Sequence, residues 1–512
     1  MLKRLLSLLR NKVFIVAILI LIQLGVFAAI ILKLSEYFVW IYFLLIALSV
    51  VISIYVINRD DNPTYKMTWV LLIMALPILG GLVYLLFGGQ KVPKELRLRD
   101  RAANDEYKGL ITQDEEIINR LEKKHPAAHK QANYLWKNAG FPIYEHTETT
   151  FFPVGEDKFK AILEELKKAE KFIFIEYFII EPGVMWDSIL DILIEKVKEG
   201  LDVRVLYDDA GCFTKIPSNY YKVLQEYGIK AKVFNPIKPR LAMQMNNRDH
   251  RKILVIDGKV GMTGGINLAD EYINKRERFG HWKDCGVMLK GEAVWSLTLM
   301  FLQFWNYDET VKDDVVKFKC DFKEFENMNN DGLVQPFSDS PTDNENVGEY
   351  THINMINGAN RYVYATTPYL VLDNEMKTSL MLAAKNGVDV RILVPHIPDK
   401  WYVFAVTRAN YHALLEAGVR IYEYTPGFVH SKSFVVDDEM AIVGTVNMDY
   451  RSYYLHYECG VWFYKSKVVM DVKKDYLENL EKSHEVTLEE CNSVKLPVRI
   501  MRSILNLFSP MF

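Results

Sequence analysis

The sequence predicts an α/β fold in which two similar tandem halves pack about a pseudo-two-fold axis, preceded by N-terminal transmembrane helices. Three observations lead to this prediction: apolar segments open the chain, strand and helix patterns alternate after them, and one polar motif occurs twice at a fixed spacing. Alternating strands and helices indicate a layered α/β structure, and a long internal repeat indicates two copies of one unit. The 512 residues suffice for two such domains and an N-terminal segment.

Each of the three apolar segments is long enough to cross a bilayer as a helix. Pro77, Gly80 and Gly81 interrupt the third, which is therefore the one expected to re-enter or lie in the interface if only two cross. Basic residues precede the first segment and follow the third, which favours the cytoplasm for both ends. We expect a multi-pass anchor with two or three spans over residues 1–105, and a cytoplasmic remainder. The segments are residues 13–32, 38–57 and 69–87.

From about residue 106 helix and strand patterns alternate, and the second half repeats the order of the first. This predicts two similar sheets packed about a shared site, in domains at 106–330 and 331–512. The acidic, polar stretch Asp308–Glu349 between them is expected to be a linker or a surface excursion. The expected helices are Lys158–Lys171, Ser188–Glu199 and Met376–Asn386, and the expected strands are Phe172–Ile180, Val203–Tyr207 and Val388–Val394.

The repeated motif is His-x-Lys-x-x-x-x-Asp, and its two copies lie 180 residues apart (430 − 250, 432 − 252, 437 − 257). A glycine and an asparagine after each copy keep the same offset. Histidine makes up 11 of 512 residues, so two aligned copies are not expected by chance. The residues are His250, Lys252, Asp257, Gly264 and Asn267 in the first copy, and His430, Lys432, Asp437, Gly444 and Asn447 in the second.

This motif suits chemistry at a phosphodiester. Residues i and i+2 of a strand share a face, so each histidine is expected to project beside its lysine. Lysine charges neutralise phosphate, and one histidine can attack phosphorus while the other protonates the leaving oxygen, through a phosphohistidine and without a metal. Asp257 and Asp437 lie an odd number of residues from the histidines, so a turn-capping role and a catalytic role both stay open.

These residues resemble the phospholipase D superfamily and, within it, the bacterial cardiolipin synthase family. The resemblance implies transfer of a phosphatidyl group between two phosphatidylglycerol molecules at the bacterial cell membrane, with release of glycerol. Thr445 stands where the family has serine, and His456 where it has an amide. The further matching segments are Ile173–Gly183, Tyr207–Cys212, Gly264–Tyr272, Tyr364–Asp373 and Gly444–Glu458.

A catalytic histidine usually needs a carboxylate that fixes its tautomer and supports its charge. The resemblance places that carboxylate downstream of each motif, at Asp284 and Glu458, and each precedes Cys-Gly-Val. We hypothesise that one of them pairs with each histidine. The spacing leaves open which histidine is the nucleophile, and we prefer His250.

Other features narrow the range of functions. The five cysteines form no CxxC pair and the remaining histidines show no metal-ligand spacing, so neither a metal nor another cofactor is expected. The net charge of −3 gives no support for nucleic-acid binding, and the expected partners are lipid substrates and the bilayer, with the oligomeric state left open. A phospholipase D-type hydrolase and a phosphatidylserine synthase remain alternatives, because the same residues serve other acceptors. A non-catalytic scaffold is disfavoured, because both motifs are intact.

The tail Lys495–Phe512 mixes the basic Arg499 and Arg502 with many apolar residues. As a helix it suits an anionic membrane surface. Docking of the same helix on the protein's own core is an equally good prediction.

Overall fold

The computed structural model describes residues 21–23, 25–26, 36–77, 79–88, 92, 97–98, 107, 109–237, 246–307, 313–328 and 331–511. The chain forms two compact units: an N-terminal unit within residues 1–91 and a larger unit that contains nearly all of the rest. Most of the predicted apolar segment at 13–32 lies outside the described residues.

In the N-terminal unit, helix α1 (Glu36–Ile57) packs against α2 (Pro63–Ala75), and α3 (Leu79–Phe87) follows. The predicted segment at 38–57 falls within α1. The segment at 69–87 is divided between α2 and α3, as expected from Pro77, which has no N–H to continue a helix. Within the part of the chain that the structure describes, no helix combines the length and apolar character that crossing a membrane requires, so the predicted transmembrane spans are not supported.

The first half of the larger unit is built on a seven-stranded sheet of order β1-β9-β7-β6-β2-β3-β4, in which β2, β3 and β4 are parallel and the other neighbours antiparallel. All residues of β2 and β6 are buried, which explains why most of them are apolar. In chain order the elements are α4 Glu115–Lys124, α5 Pro126–Lys137, β1 Thr147–Phe152, α6 Gly155–Lys167, β2 Phe172–Tyr177, α7 Val184–Lys198, β3 Asp202–Asp208, α8 Asp209–Cys212, α9 Tyr220–Glu226, β4 Lys230–Phe234, β5 Arg248–Asp249, β6 Lys252–Ile256, β7 Val260–Gly264, β8 His281–Lys283, β9 Gly286–Gly291 and α10 Val294–Trp305.

The second half repeats this topology in the order β10-β19-β17-β16-β11-β13-β14, with β20 added at the edge. Its strands correspond one to one with those of the first sheet, which confirms the predicted α/β fold with two tandem repeats. The elements are β10 Leu333–Asp339, α11 Val347–Gly358, β11 Tyr362–Thr366, β12 Leu370–Val371, α12 Asn374–Lys385, β13 Asp389–Pro395, α13 Trp401–Glu416, β14 Arg420–Tyr424, β15 Gly427–Val429, β16 Ser433–Val436, β17 Met440–Gly444, β18 Met448–Asp449, α14 Tyr450–Tyr454, β19 His456–Tyr464, α15 Lys467–Leu480, β20 Ser483–Val486, α16 Leu488–Ser493 and α17 Leu496–Leu507.

The predicted linker was wrong over part of its length. Leu333–Asp339 is the buried strand β10, which pairs with β19 as β1 pairs with β9. Its polar residues and Pro336 interrupt the apolar pattern that would predict a strand. Proline is tolerated there because β10 lies at the sheet edge.

The two sheets face each other through one hydrophobic core. Val255 and Val287 from the first sheet pack in the same cluster as Val435, Val443 and Val461 from the second. Each motif lies on and directly before a central strand of its sheet, β6 or β16, so this packing brings the two motifs together.

Candidate active site

Two short parallel strand pairs that join the halves position the motif histidines. β5 pairs with the start of β19, and β15 pairs with β8. His250 follows β5 and donates its backbone N–H to Tyr457 (2.9 Å), while His430 follows β15 and donates to Lys283 (2.7 Å). The backbone of each half therefore binds the histidine of the other half. The accepting residues are Tyr457, which precedes Glu458, and Lys283, which precedes Asp284.

The side chains follow the same exchange. Nδ1 of His250 lies 2.9 Å from both oxygens of Glu458, and Nδ1 of His430 lies 2.7 Å from Oδ2 of Asp284. Both carboxylates are completely buried. Each hypothesised carboxylate thus lies beside one imidazole, and each pair joins the two halves. With Nδ1 engaged, Nε2 is the ring nitrogen left for chemistry.

Lys252 and Lys432 are buried, and each ammonium donates to the backbone oxygen of the histidine two residues before it. Burial lowers the pKa of Lys252 to about 7, with Lys432 acting in the same direction. Burial also lowers the pKa of Lys432 to about 8. Two ammonium groups in one buried site form a strong attraction for a phosphate.

Burial and the neighbouring lysines disfavour the charged form of both imidazoles. Burial holds the pKa of His250 well below its ordinary value, and Lys252 and Lys432 add to the effect. Burial and then Lys432 lower the pKa of His430 to about 4, against the opposing influence of Asp284. Burial acts to raise the pKa of Asp284, but His430 and Lys432 together hold it below its ordinary value.

The motif aspartates lie at the far end of their strands from the histidines. The Asp257 carboxylate accepts the backbone N–H groups of residues 170, 171 and 172 at 2.7–2.8 Å. Asp437 accepts those of residues 360, 361 and 362 in the same way. Both have positive φ (54° and 56°), a conformation that aspartate tolerates in turns. Of the two roles left open, these contacts favour turn formation, and they place neither aspartate at the imidazoles.

The two motif asparagines line the same cavity as the histidines. Asn267 accepts the N–H of Ile179 (3.0 Å) and donates to the Tyr272 hydroxyl (2.8 Å). Asn447 is also buried.

Thr445, one departure from the family pattern, keeps the hydroxyl of the serine that it replaces and donates it to Glu458 (2.5 Å). The equivalent residue in the first half is Gly265, where an added Cβ would collide with the Asp284 carboxylate. Each half therefore has the residue that fits its own carboxylate.

His456 is the second departure. It lies two residues before Glu458, as Trp282 lies two residues before Asp284. Its ring centroid is 5.6 Å from that of His250, and that of Trp282 is 5.4 Å from His430. The two rings thus have equivalent positions beside the two histidines.

One group with metal-binding atoms is present among the described residues: His250, His456 and Glu458, whose ligand atoms lie within 4.8 Å of one another. The charges of Lys252 and Lys432 act directly on His250, and they oppose a divalent cation there. We assign no metal to this group, and the absence of a cofactor stays a prediction.

Both histidines line a cavity of about 650 Å³ between the halves. Its lining combines aromatic side chains with four arginine or lysine residues and with the acidic Glu271, Asp399 and Asp449. The aromatic and basic groups suit a phosphate and its uncharged substituents. The aromatic residues include Phe178, Tyr272, Phe279, Trp282 and Phe428, and the basic residues are Arg248, Arg278, Lys400 and Arg451.

Sequence reasoning missed several charged residues beneath the site. Lys158 is buried, donates to the Thr263 carbonyl (3.2 Å) and has a pKa lowered to about 8 by burial, against the attraction of Asp284. Arg251 is buried between Glu176 (2.7 Å) and Asp249 (3.3 Å). Arg251 adjoins the motif, but no pattern distinguishes a buried arginine there from a solvated one.

Known proteins share these features. A family model described as cardiolipin synthase, phospholipase D-like domain, matches residues 162–283 and 352–480. A second, described as a phospholipase D-nuclease N-terminal segment, matches residues 47–89. The solved phosphatidylserine synthase of Haemophilus influenzae has the same fold, with a TM-score of 0.56 and 16% identity, over 75% of this chain and 99% of that one.

Relatives match over nearly the full length. A cardiolipin synthase of Alkalihalophilus pseudofirmus is 37% identical over 91% of this chain and 92% of its own. One of Halalkalibacterium halodurans is 35% identical over 91% and 93%, and an uncharacterized protein of Streptococcus mutans is 45% identical over 90% and 99%. Two matched domains, each with the motif on a buried strand, and relatives of this similarity give one conclusion: the chain belongs to the cardiolipin synthase family of phospholipase D-like proteins.

Proposed function

We propose that this protein is a cardiolipin synthase, a phosphatidyltransferase that joins two phosphatidylglycerol molecules and releases glycerol. The observation that carries the proposal is the pair of histidines in one cavity, each bound through Nδ1 to a buried carboxylate of the other half. Such a pair provides one nucleophile and one proton donor for a single phosphorus. The names of the full-length relatives supply the substrate class.

In the first step, Nε2 of one histidine attacks the phosphorus of phosphatidylglycerol. The negative charge of the bound phosphodiester offsets the charges of the two lysines, so the other histidine binds a second proton, on Nε2. The bond from phosphorus to the glycerol headgroup breaks, and the glycerol oxygen takes that proton. Lys252 and Lys432 neutralise the charge that develops on the phosphate. The product is a phosphatidyl group on the first histidine and free glycerol.

In the second step, a headgroup hydroxyl of another phosphatidylglycerol gives its proton to the now neutral second histidine and attacks phosphorus. The bond from phosphorus to Nε2 breaks, which releases cardiolipin and restores both histidines. The aromatic side chains that line the cavity disfavour water as the competing acceptor. Asn267 and Asn447 help to position the headgroup in this scheme.

We also propose a bacterial cell-membrane location, with residues 1–105 as a multi-pass anchor and cytoplasmic catalytic domains at 106–330 and 331–512. The exposed apolar side chains of α1, such as Trp40 and Leu44, support a lipid environment. The test is labelling of Cys491, which is half-buried, in intact and permeabilised cells. Equal labelling in both would contradict the cytoplasmic assignment.

The deciding experiment incubates purified protein in detergent with labelled phosphatidylglycerol and a metal chelator. We expect cardiolipin and glycerol in equal amounts, lost in His430→Ala. Phosphatidic acid with glycerol would instead indicate a hydrolase, and phosphatidylserine formed after addition of serine would indicate a phosphatidylserine synthase.

The lysine pKa values predict the pH dependence of transfer. Burial has lowered both, so the ammonium charges are lost as pH rises through about 7 to 8. We expect kcat/KM to fall over that range, and kcat to fall at higher pH, because a bound phosphate raises both pKa values. Measuring kcat and kcat/KM from pH 5 to 10 tests this expectation. A kcat/KM that stays flat to pH 9 would contradict it.

Asp257 takes no part in this scheme. Asp257→Ala removes acceptors for three backbone N–H groups, so we expect a loss of about 2 kcal/mol in the free energy of unfolding and less than about a threefold change in kcat. Asp257→Asn, which keeps an acceptor and tolerates positive φ, serves as the control and should lose less stability. Chemical denaturation and turnover at low temperature measure the two effects. A large fall in kcat with unchanged stability would restore the catalytic role.

A further inference from the structure

The C-terminal helix α17 presents an apolar stripe to solvent. Leu496, Ile500 and Ile504 recur every four residues and therefore share one face, and their exposed fractions are 67%, 51% and 53%. Met501 beside them is 38% exposed. A contiguous exposed apolar surface of this kind marks a contact with a partner or a membrane.

The opposite face of α17 already has its contacts. The helix packs along α13, and Leu505 contacts the buried cluster of Val371, Val403 and Val406. Arg502 on the same side is half-buried near Arg408. The tail therefore docks on the protein's own core through this face, which is one of its two predicted roles. The apolar stripe on the other face stays exposed.

The helix lies next to the active-site cavity. Val371 and Val403 line that cavity as well as contacting α17, and Ser509, two residues after the helix ends, lines it too. Trp401, at the start of α13 and between residues of the cavity wall, is 65% exposed. Tryptophan is enriched at the level of lipid headgroups.

Charge indicates the kind of surface that the stripe contacts. The sequence after Glu490 contains no acidic residue, whereas Lys495, Arg499 and Arg502 are basic. Lys495 and Arg499 are exposed. A symmetric contact with a second copy of the chain would bring two basic helices together, which like-charge repulsion disfavours. An anionic lipid surface offers both apolar contact and opposite charge.

We propose that the apolar stripe of α17, with Trp401, docks on an anionic bilayer and sets the mouth of the active-site cavity at headgroup level. The inference rests on the proposed function in one respect, because a lipid substrate gives this placement its purpose. A headgroup then reaches the histidines while its acyl chains stay in the bilayer.

The test uses the full-length protein in vesicles of phosphatidylglycerol and phosphatidylethanolamine, with Cys320 and Cys491 replaced by serine. A fluorophore is placed at Ile500→Cys or, as a control, at Lys474→Cys on α15, whose side chain is 77% exposed. Lipids carrying a nitroxide quench only probes that enter the membrane. We expect quenching at position 500 at least about threefold stronger than at position 474.

Equal quenching at the two positions would overturn the proposal. So would protection of position 500 that grows with protein density, because it would mean that a second copy covers the stripe. Quenching needs no turnover, so this readout is independent of whether the protein makes cardiolipin.

A second variant connects docking to catalysis. We expect Ile500→Glu with Ile504→Glu to reduce turnover of vesicle substrate about tenfold and to leave turnover of monomeric short-chain phosphatidylglycerol unchanged. Lys474→Glu is the matched control. An equal loss on both substrates would contradict interfacial docking.

Discussion

Replacing either motif histidine by alanine should abolish cardiolipin formation, with a loss of at least about 10⁴-fold in kcat for His250→Ala and for His430→Ala. Each variant removes one of the two groups that act on the same phosphorus. Because they act as a unit, the double variant should be hardly worse than either single one. The measurement is the rate of labelled glycerol release from phosphatidylglycerol.

The control is a histidine that is equally buried but outside the cavity. His352 stacks on Phe434 with ring centroids 4.1 Å apart and bonds to the Tyr453 hydroxyl (3.0 Å). We expect His352→Gln to lose stability and keep most of its kcat. If it lost as much activity as the motif variants, general damage to the fold would explain all three.

The same variants identify the nucleophile when the substrate carries a leaving group, such as p-nitrophenol, that needs no proton. The variant that keeps the nucleophile should then accumulate a phosphatidylated enzyme, and the other should not. Mass spectrometry of peptides from the quenched enzyme locates the modified residue.

We expect His250 to be the modified residue. Its partner Glu458 also accepts hydrogen bonds from Thr445 (2.5 Å) and Ser452 (2.7 Å), so less of its charge is left to stabilise an imidazolium. Asp284 accepts only one further hydrogen bond among the described residues, from the N–H of Cys285, and supports a charged His430 better. A phosphatidyl group on His430 would reverse the roles and leave the two-histidine scheme intact.

The motif strands could be predicted because their residues follow a strong local pattern. β6 and β16 are apolar runs that end in turn residues, and the structure places both in the centre of their sheets. The helices before β2 and β13 were predicted within a few residues for the same reason. Local periodicity determined these elements, and tertiary contacts did not override it.

The first strand of each half could not be predicted. β1 has the sequence TETTFF and β10 contains Pro336, so neither gives an apolar run or a clean alternation. Both are stabilised by pairing with a distant strand, β9 or β19. A strand whose stability comes from partners more than a hundred residues away has little signal in its own sequence.

The exchange of histidines and carboxylates between the halves was also beyond sequence reasoning. The carboxylates were identified from the family resemblance, but nothing indicated which histidine each would bind. The structure settles this geometry through β5 and β15, strands of only two and three residues. Strands that short carry no periodicity, and their pairing depends on how the two sheets pack.

Neutralising the carboxylates tests this exchange directly. We expect Asp284→Asn to reduce kcat for phosphatidylglycerol about 10³- to 10⁴-fold and Glu458→Gln about 10²- to 10³-fold. An amide cannot support a positive imidazole, and it can hold the ring in the wrong tautomer. Since Asp284 serves the proposed proton donor, its loss should matter most where the leaving group needs a proton.

The leaving group separates the two roles. With the p-nitrophenyl substrate, Asp284→Asn should recover to within about tenfold of the unmodified protein in the first burst of product, because no proton is needed. Glu458→Gln should stay impaired, since the glutamate orients the attacking ring. Burst kinetics of p-nitrophenol release measure both.

Asp475 offers the matched control. Its carboxylate lies next to the site and binds Lys283 at 2.9 Å, yet it contacts neither histidine. Asp475→Asn breaks this ion pair between the halves. It should lower the free energy of unfolding and change the burst of p-nitrophenol release little. If Asp284→Asn behaved like this control, the carboxylate would only hold the halves together. If both site variants lost activity equally with both substrates, the carboxylates would be equivalent, and the asymmetry that assigns His250 as the nucleophile would be wrong.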